Sequence, residues 1–480
     1  MARRVVLPGR GNAVMAAAKT LGFADLFFYA ASMALSIRWI SVAAAAGPAS
    51  LWIWVLAVVV FSGPLIVATA ELTTRFAGEG GVYVWTEEAF GPFWGFLCGW
   101  LYWASNLPFF SAMLVFMLNL LALAIGPAGK ALIGSPWLFT GVAVGLSIAV
   151  GALHYLGLGT GKWLSNVGGA SNIVLVALLT VVGMLVFARQ GSATDFARAS
   201  YAPPLNADGA ILWATMVFAV GGSEALAFLR NDVRGGMRTI LAVLACVTLL
   251  QIAFYLAGTA SMLAILTPQA ATRLSGLPDA LILGLKTLGL GALAPLVLIG
   301  GFLCLLGSYS AWFGVAARLP FAAGIDAVLP PAFGKRDPKS GAPVVAIAVQ
   351  TAVVAVIVVL SQAGDTLKGA YDFLVAMSVL SYTLPFLFLF AVFLKLQVGV
   401  ARSGAAPAKA WRTPGGCRVA LAVGAVGMAA TIVAVLCTLV PSPDARNQLL
   451  EAAKLVFASA VLIVSGVAAY VLATRRAGSG

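Results

Sequence analysis

Four consecutive residues, Gly221, Gly222, Ser223 and Glu224, interrupt an otherwise apolar, membrane-length stretch, WATMVFAVGGSEALAFLRNDVRGGMR, that begins at Trp213. A carboxyl group near the middle of a hydrocarbon-buried segment is costly, so Glu224 marks a functional position that needs a protein or water partner. The paired glycines disfavour helix, and unwound backbone at membrane depth is tolerated only against protein or a water-filled cavity. Freed amides and carbonyls at such a break can act as ligands, as they do in secondary transporters. Close helix packing is the alternative use of the glycine pair.

Other polar residues fall inside apolar runs. Ser32, Ser36 and Arg38 lie in ASMALSIRWISVAAAAGP, and Arg38 is the one cation placed deep in an expected span. A guanidinium can hold a carboxylate through paired hydrogen bonds, balance Glu224 across a cavity, or snorkel to the surface. Ser308 and Ser310, in LLGSYSAWF, offer hydroxyls for a sodium site, or bond their own backbone.

These residues need elements to hold them, and the composition says which kind. The 480 residues are 61% hydrophobic and 9% charged, with a mean hydropathy of +1.02, against about 25% charged in soluble domains. This is an all-α polytopic membrane protein in contact with the lipid bilayer. A net charge of +13 without clustered basic and stacking aromatic residues excludes nucleic acid as a partner. Five cysteines without Cys-x-x-Cys spacing and a single histidine, His154, imply no metal site, no disulfide framework and no cofactor. His154 reads as an interfacial helix-end residue, a proton relay being the alternative.

Runs of about 20 apolar residues can be placed twelve times. They are Phe23 to Ala46, Ser50 to Leu72, Phe93 to Ile125, Trp137 to Tyr155, Leu164 to Ala188, Ala210 to Arg230, Ile240 to Leu266, Leu290 to Ala317, Val344 to Leu360, Tyr371 to Leu396, Arg418 to Leu439 and Ala452 to Thr474. With both termini cytoplasmic, twenty Lys and Arg fall inside and eight outside, Arg38 completing the 29, as the positive-inside rule requires. The expected division is a tail over 1–22, a core over 23–396 (spans 1 to 10), a cytoplasmic loop over 397–417, spans 11 and 12 over 418–474, and a tail over 475–480. Polar interruptions in spans 1 and 6, five spans apart, suit two inverted five-helix repeats followed by two further helices.

Three stretches resemble the amino acid, polyamine and organocation transporter superfamily over most of the first ten spans. They are AELTTRFAGEGGVYVWTEEAFGPFWGFLCGW from Ala70, FAVGGSEALAFLRNDVRGGMRTI from Phe218, and AARLPFAAGIDAVLPPAFGKRDPKSGAPVVAIAVQ from Ala316. In the first, Glu71, Arg75 and Glu79 can pair around the turn at Gly80 and Gly81 as a cytoplasmic loop clamp or gate. In the third, Lys335, Arg336 and Lys339 hold a loop inside.

The resemblance implies discontinuous spans 1 and 6 around a small-molecule site. Phe218 matches an aromatic ring that closes over substrate, a lipid- or core-facing ring being the alternative. Carbonyls of Ala219, Val220, Gly221 and Gly222 would receive an ammonium group. Glu224 matches a glutamate linked to proton sensitivity in some members. Where relatives carry a Gly-Ser-Gly-Ile-like run, this chain has Met33-Ala34-Leu35-Ser36-Ile37; amides of Ala34, Leu35, Ser36 and Ile37, beside Ser32, would hold a carboxylate if the helix opens without glycine. Span 5, VGGASNIVLVALL from Val167, lacks the lysine that replaces sodium in some relatives.

The expected function is therefore a secondary active transporter, not an enzyme, moving amino acids or related amine-bearing metabolites by alternating access across a prokaryotic inner membrane. Symport with a proton or sodium ion, or exchange, stays open. A polyamine or organocation carrier, a channel and a non-transporting nutrient receptor are the alternatives.

Overall fold

The computed structural model describes residues 22–76, 81–156, 158–226, 233–322, 328–338, 340–361, 367–403, 411–440 and 447–478. Among them, eleven helices are long and apolar enough to cross a bilayer, and a bent pair makes twelve. Span 1 is that pair, Phe23–Ala34 and Arg38–Ala45, bent by 40°. Spans 2 to 5 are Ala49–Arg75, Pro92–Ala124, Pro136–Tyr155 and Asn166–Gln190. Spans 6 to 8 are Ala207–Leu226, Met237–Ile265 and Gly291–Ala317, and spans 9 to 12 are Val344–Ser361, Leu367–Ser403, Gly416–Thr438 and Gln448–Arg475. The twelve expected spans are all present. Span 10 runs on to Ser403, so the segment read as a loop from residue 397 begins as helix.

Local chemistry sets several helix starts. Prolines occupy the first helical position at Pro92 and Pro136, where a missing N–H costs nothing. Asn206 caps span 6 by accepting from the Gly209 amide at 3.0 Å.

Packing partners recur with an offset of five. Span 5 packs on span 8, as span 10 packs on span 3; span 1 packs on span 7, as span 6 packs on span 2. This interlocking is that of two inverted five-helix repeats. Spans 5 and 8 approach so closely at Gly168 and Gly307 that a Cβ on Gly168 would lie 2.5 Å from the Gly307 Cα. The glycines of VGGAS are thus a packing surface, and Asn172 beyond them donates to Ser308 Oγ at 2.9 Å.

Candidate binding site between the broken spans

Span 6 leaves the helix after Ala219. Gly222 then adopts φ +100°, and residues 223–226 form a 3-10 turn. A Cβ at Gly222 would meet Trp312 at 3.1 Å and the Met33 carbonyl at 3.3 Å, so both conformation and space demand glycine here. Residues 227–232 lie outside the described ones.

Span 1 opens without glycine. Leu35 is extended, with φ −107° and ψ 131°, a conformation open to any L-residue. What the opening requires is partners for the freed carbonyls, and distant side chains supply them. Trp312 Nε1 donates to the Met33 carbonyl at 3.1 Å. Gln251 Nε2 donates to the Ala34 carbonyl at 2.9 Å and reaches that of Ala219 at 3.4 Å. Tyr255 Oη lies 3.2 Å and 3.3 Å from the same two oxygens and accepts from the Ser36 amide at 3.3 Å. Trp54 stacks flat on the Tyr255 ring with centroids 4.0 Å apart.

Between the two breaks lies a cavity with an empty volume of about 480 Å³. Five rings, Trp39, Phe109, Phe218, Trp312 and Tyr382, line it, and Phe218 touches Trp39, Tyr382 and Phe109 at 5.3, 5.1 and 5.9 Å between centroids. Of the residues expected to bind, Ser32, Leu35, Ser36, Phe218, Ala219, Gly221 and Gly222 line this space. Ala34, Ile37 and Val220 do not line it, although their backbone belongs to the breaks.

Two expectations need correction. The Ala219 carbonyl is occupied by Gln251 and Tyr255, and the Gly222 carbonyl accepts from the Ala225 amide at 3.3 Å. Among the described residues, Val220 and Gly221 are the carbonyls of that run without a protein donor. On span 1, the Leu35 amide is bonded to Ala31 and that of Ser36 to Tyr255. That leaves as donors the Ile37 amide and the first turn of Arg38–Ala45, apart from the Trp39 amide, which donates to the Ser36 carbonyl at 3.3 Å.

Glu224 is buried, at 3% exposure. Its Oε1 accepts from Tyr102 at 2.8 Å and Tyr382 at 2.5 Å, and its Oε2 from the Gly222 amide at 2.8 Å. Three donors satisfy the carboxylate without a cation.

Arg38 does not meet Glu224, and it does not snorkel. It is 0% exposed, with Nε 3.4 Å from Ser36 Oγ and Cζ 4.6 Å and 4.9 Å from the Trp39 and Phe109 ring centroids. Its terminal nitrogens have no hydrogen-bond partner. Burying a guanidinium costs several kcal/mol, and two aromatic faces return about 0.5–2 kcal/mol each. The charge is therefore incompletely compensated by the protein.

The serine pair of span 8 is not brought together. Ser308 lines the cavity and accepts from Asn172, whereas Ser310 lies 3.0 Å from His154 Nε2. Two residues apart on a helix, their side chains face different neighbours, so no joint oxygen site forms. His154 is half-buried in the last turn of span 4, stacked on Phe313 at 5.7 Å.

Of the loop clamp, Glu79 lies outside the described residues, as do Gly80 and Lys339. Glu71 is buried and lies 3.5 Å from Arg75. Its other partners are unexpected: Gln397 Nε2 at 2.6 Å, Thr413 Oγ1 at 2.8 Å and the Thr413 amide at 3.2 Å. The carboxylate thus ties span 2 to span 10 and to the segment before span 11.

Comparison with known proteins agrees with this geometry. The family model described as amino acid permease matches residues 21–466. An uncharacterised transporter of Legionella pneumophila is 24% identical over 85% of this chain and 86% of its own. A probable agmatine/putrescine antiporter of Lactococcus lactis and a putative arginine/ornithine antiporter of Escherichia coli are 23% and 26% identical, each over 62% of this chain and over 63% and 65% of their own lengths, just under two thirds. Among solved structures, MhsT in complex with L-phenylalanine superposes with TM-score 0.60 at 15% identity over 86% of this chain and 98% of that one. A manganese transporter of Eremococcus coleocola gives 0.58 at 12% identity over 94% of each. With its family model covering nearly the full length and its two broken spans enclosing one cavity, the chain belongs to the amino acid permease family of membrane transporters.

Proposed function

We propose that the chain is a secondary active transporter that carries an amino acid, or a closely related amine-bearing metabolite, by alternating access. The observation that carries this reading is the cavity flanked by two interruptions whose main-chain groups are partly uncapped. The Gly221 carbonyl, which lines the cavity without a protein donor, receives the ammonium group. The start of the helix Arg38–Ala45, with its positive dipole end, and the Ser36 hydroxyl at the cavity wall receive the α-carboxylate. Phe218, already in the cavity wall, closes over the bound molecule.

The coupling ion we assign is a proton, taken by Glu224. Gly222 ties that carboxylate to the break itself, so a change of its protonation acts directly on the backbone that holds the substrate. The basic residues concentrated between alternate spans set both termini on the cytoplasmic side, and bacterial relatives support the plasma membrane as the location.

Reconstituted protein should accumulate or exchange labelled amino acids in liposomes, and Glu224→Gln should flatten the pH dependence of that flux. Folded protein that moves no amino acid or amine under any imposed gradient or counter-substrate would reject the reading; unitary currents would identify a channel instead.

A further inference from the structure

Behind the cavity wall lies a buried positive charge whose terminal donors are unmatched, and this imbalance bears on what the cavity carries. Arg38 stands at the break of span 1, with Ser36, Trp39 and Phe109 against it, and all three of these line the cavity. Both its terminal nitrogens are buried and unpartnered. Among the described residues no carboxylate pairs with it.

The carboxylates that could serve are engaged elsewhere. Glu224 is held by Tyr102, Tyr382 and the Gly222 amide, and Asp372 lies 3.9 Å from Arg273. Tyr371, fully buried, also keeps its hydroxyl unpartnered. The terminal nitrogens of Arg38 and the Tyr371 hydroxyl can all donate, and the complement of unmatched donors on a guanidinium is an acceptor-only anion. Aromatic walls keep the local dielectric low, which strengthens attraction for an anion and repulsion of a second cation alike.

Resting on the transporter reading above, we propose that the carried molecule is an acidic amino acid of the aspartate or glutamate type. Its distal carboxylate is received by Arg38 when the Phe109 ring turns aside. The α-ammonium and α-carboxylate groups cancel in charge and are met by the two breaks. The side-chain carboxylate then supplies the counter-charge that the protein withholds. A diamine would add two positive charges beside an uncompensated guanidinium, and the cavity discriminates against it.

The test uses full-length protein in proteoliposomes with labelled L-glutamate, competed by unlabelled L-aspartate, L-glutamine, L-ornithine, agmatine and putrescine. Acidic amino acids should compete about tenfold or more better than the near-isosteric L-glutamine, as expected for a site built around a polar partner. Arg38→Gln should erase that preference, and Arg38→Lys, which keeps the charge without the planar fork, should restore part of it. Stronger competition by L-ornithine, agmatine or putrescine overturns the proposal and leaves the transporter reading standing. So does an unchanged glutamate-to-glutamine ratio in Arg38→Gln, or loss of uptake when gluconate replaces chloride, which would assign the anion site to an inorganic ion. If the Arg38 variants fail to fold, competition on the unsubstituted protein decides alone. Folded protein that takes up no member of the panel overturns the transporter reading itself.

Discussion

Gln251 and Tyr255, one turn apart on span 7, each reach the same two carbonyls, Ala34 at the end of the first helix and Ala219 at the end of the sixth-span helix. A single pair of side chains therefore clasps both interruptions, and any movement of one break relative to the other is felt through span 7. Tyr255→Phe removes a donor while keeping the ring stacked on Trp54, leaving a buried acceptor less well satisfied at a cost of about 1–3 kcal/mol. The expected outcome is a lowered apparent melting temperature in detergent and a reduced uptake rate. Gln251→Leu should act in the same direction, and the double variant should differ from the sum of the two because they share acceptors.

Gly222 and Gly221 should respond differently to a single methyl. Gly222→Ala combines φ +100° with a 3.1 Å approach to Trp312, and an L-residue forced into such a region costs about 1–3 kcal/mol. Uptake is expected to vanish. At Gly221 the nearest atoms are the Phe218 carbonyl at 3.2 Å and Tyr382 at 3.4 Å, so Gly221→Ala should retain measurable transport, and the ratio of the two rates checks the contrast.

The carboxylate of Glu224 offers a pH test with three arms. Tyr102→Phe and Tyr382→Phe each delete one donor to Oε1, which weakens the ionised form relative to the protonated one. The pH profile of uptake should move toward higher pH in each variant, whereas Glu224→Gln should have no such profile. Flux measured across a pH series in all three variants checks the sign.

Glu71 makes a prediction on stability. Its two oxygens gather Arg75, Gln397 and Thr413, so Glu71→Ala leaves several buried groups unmatched, at about 1–3 kcal/mol for each unsatisfied group. Thermal unfolding should show a clear loss for Glu71→Ala and a smaller one for Glu71→Gln, which keeps one acceptor oxygen.

How far the sequence reveals this site depends on where each determinant lies. Hydropathy and charge asymmetry are local sums, so twelve spans could be read directly. The opening of span 6 was equally legible, because Gly221 and Gly222 carry their own cause. The opening of span 1 was not, since Leu35 needs no glycine and the groups that stabilise it, Gln251, Tyr255 and Trp312, stand more than two hundred positions away. For the same reason Tyr102 and Tyr382 escaped notice as partners of Glu224, although a tyrosine in a membrane segment needs a mate for its hydroxyl. Ser308 and Ser310 misled through proximity in the chain, which on a helix separates residues two apart.

The capping of Met33 and Ala34 has a bearing on biogenesis. When span 1 first leaves the ribosome, the indole, amide and phenol that will quench its stray oxygens have not been synthesised. With no glycine to favour a gap, the nascent segment is cheapest as an unbroken rod. The kink on which the substrate chamber depends is thus acquired late, on docking of the second half of the protein against the first.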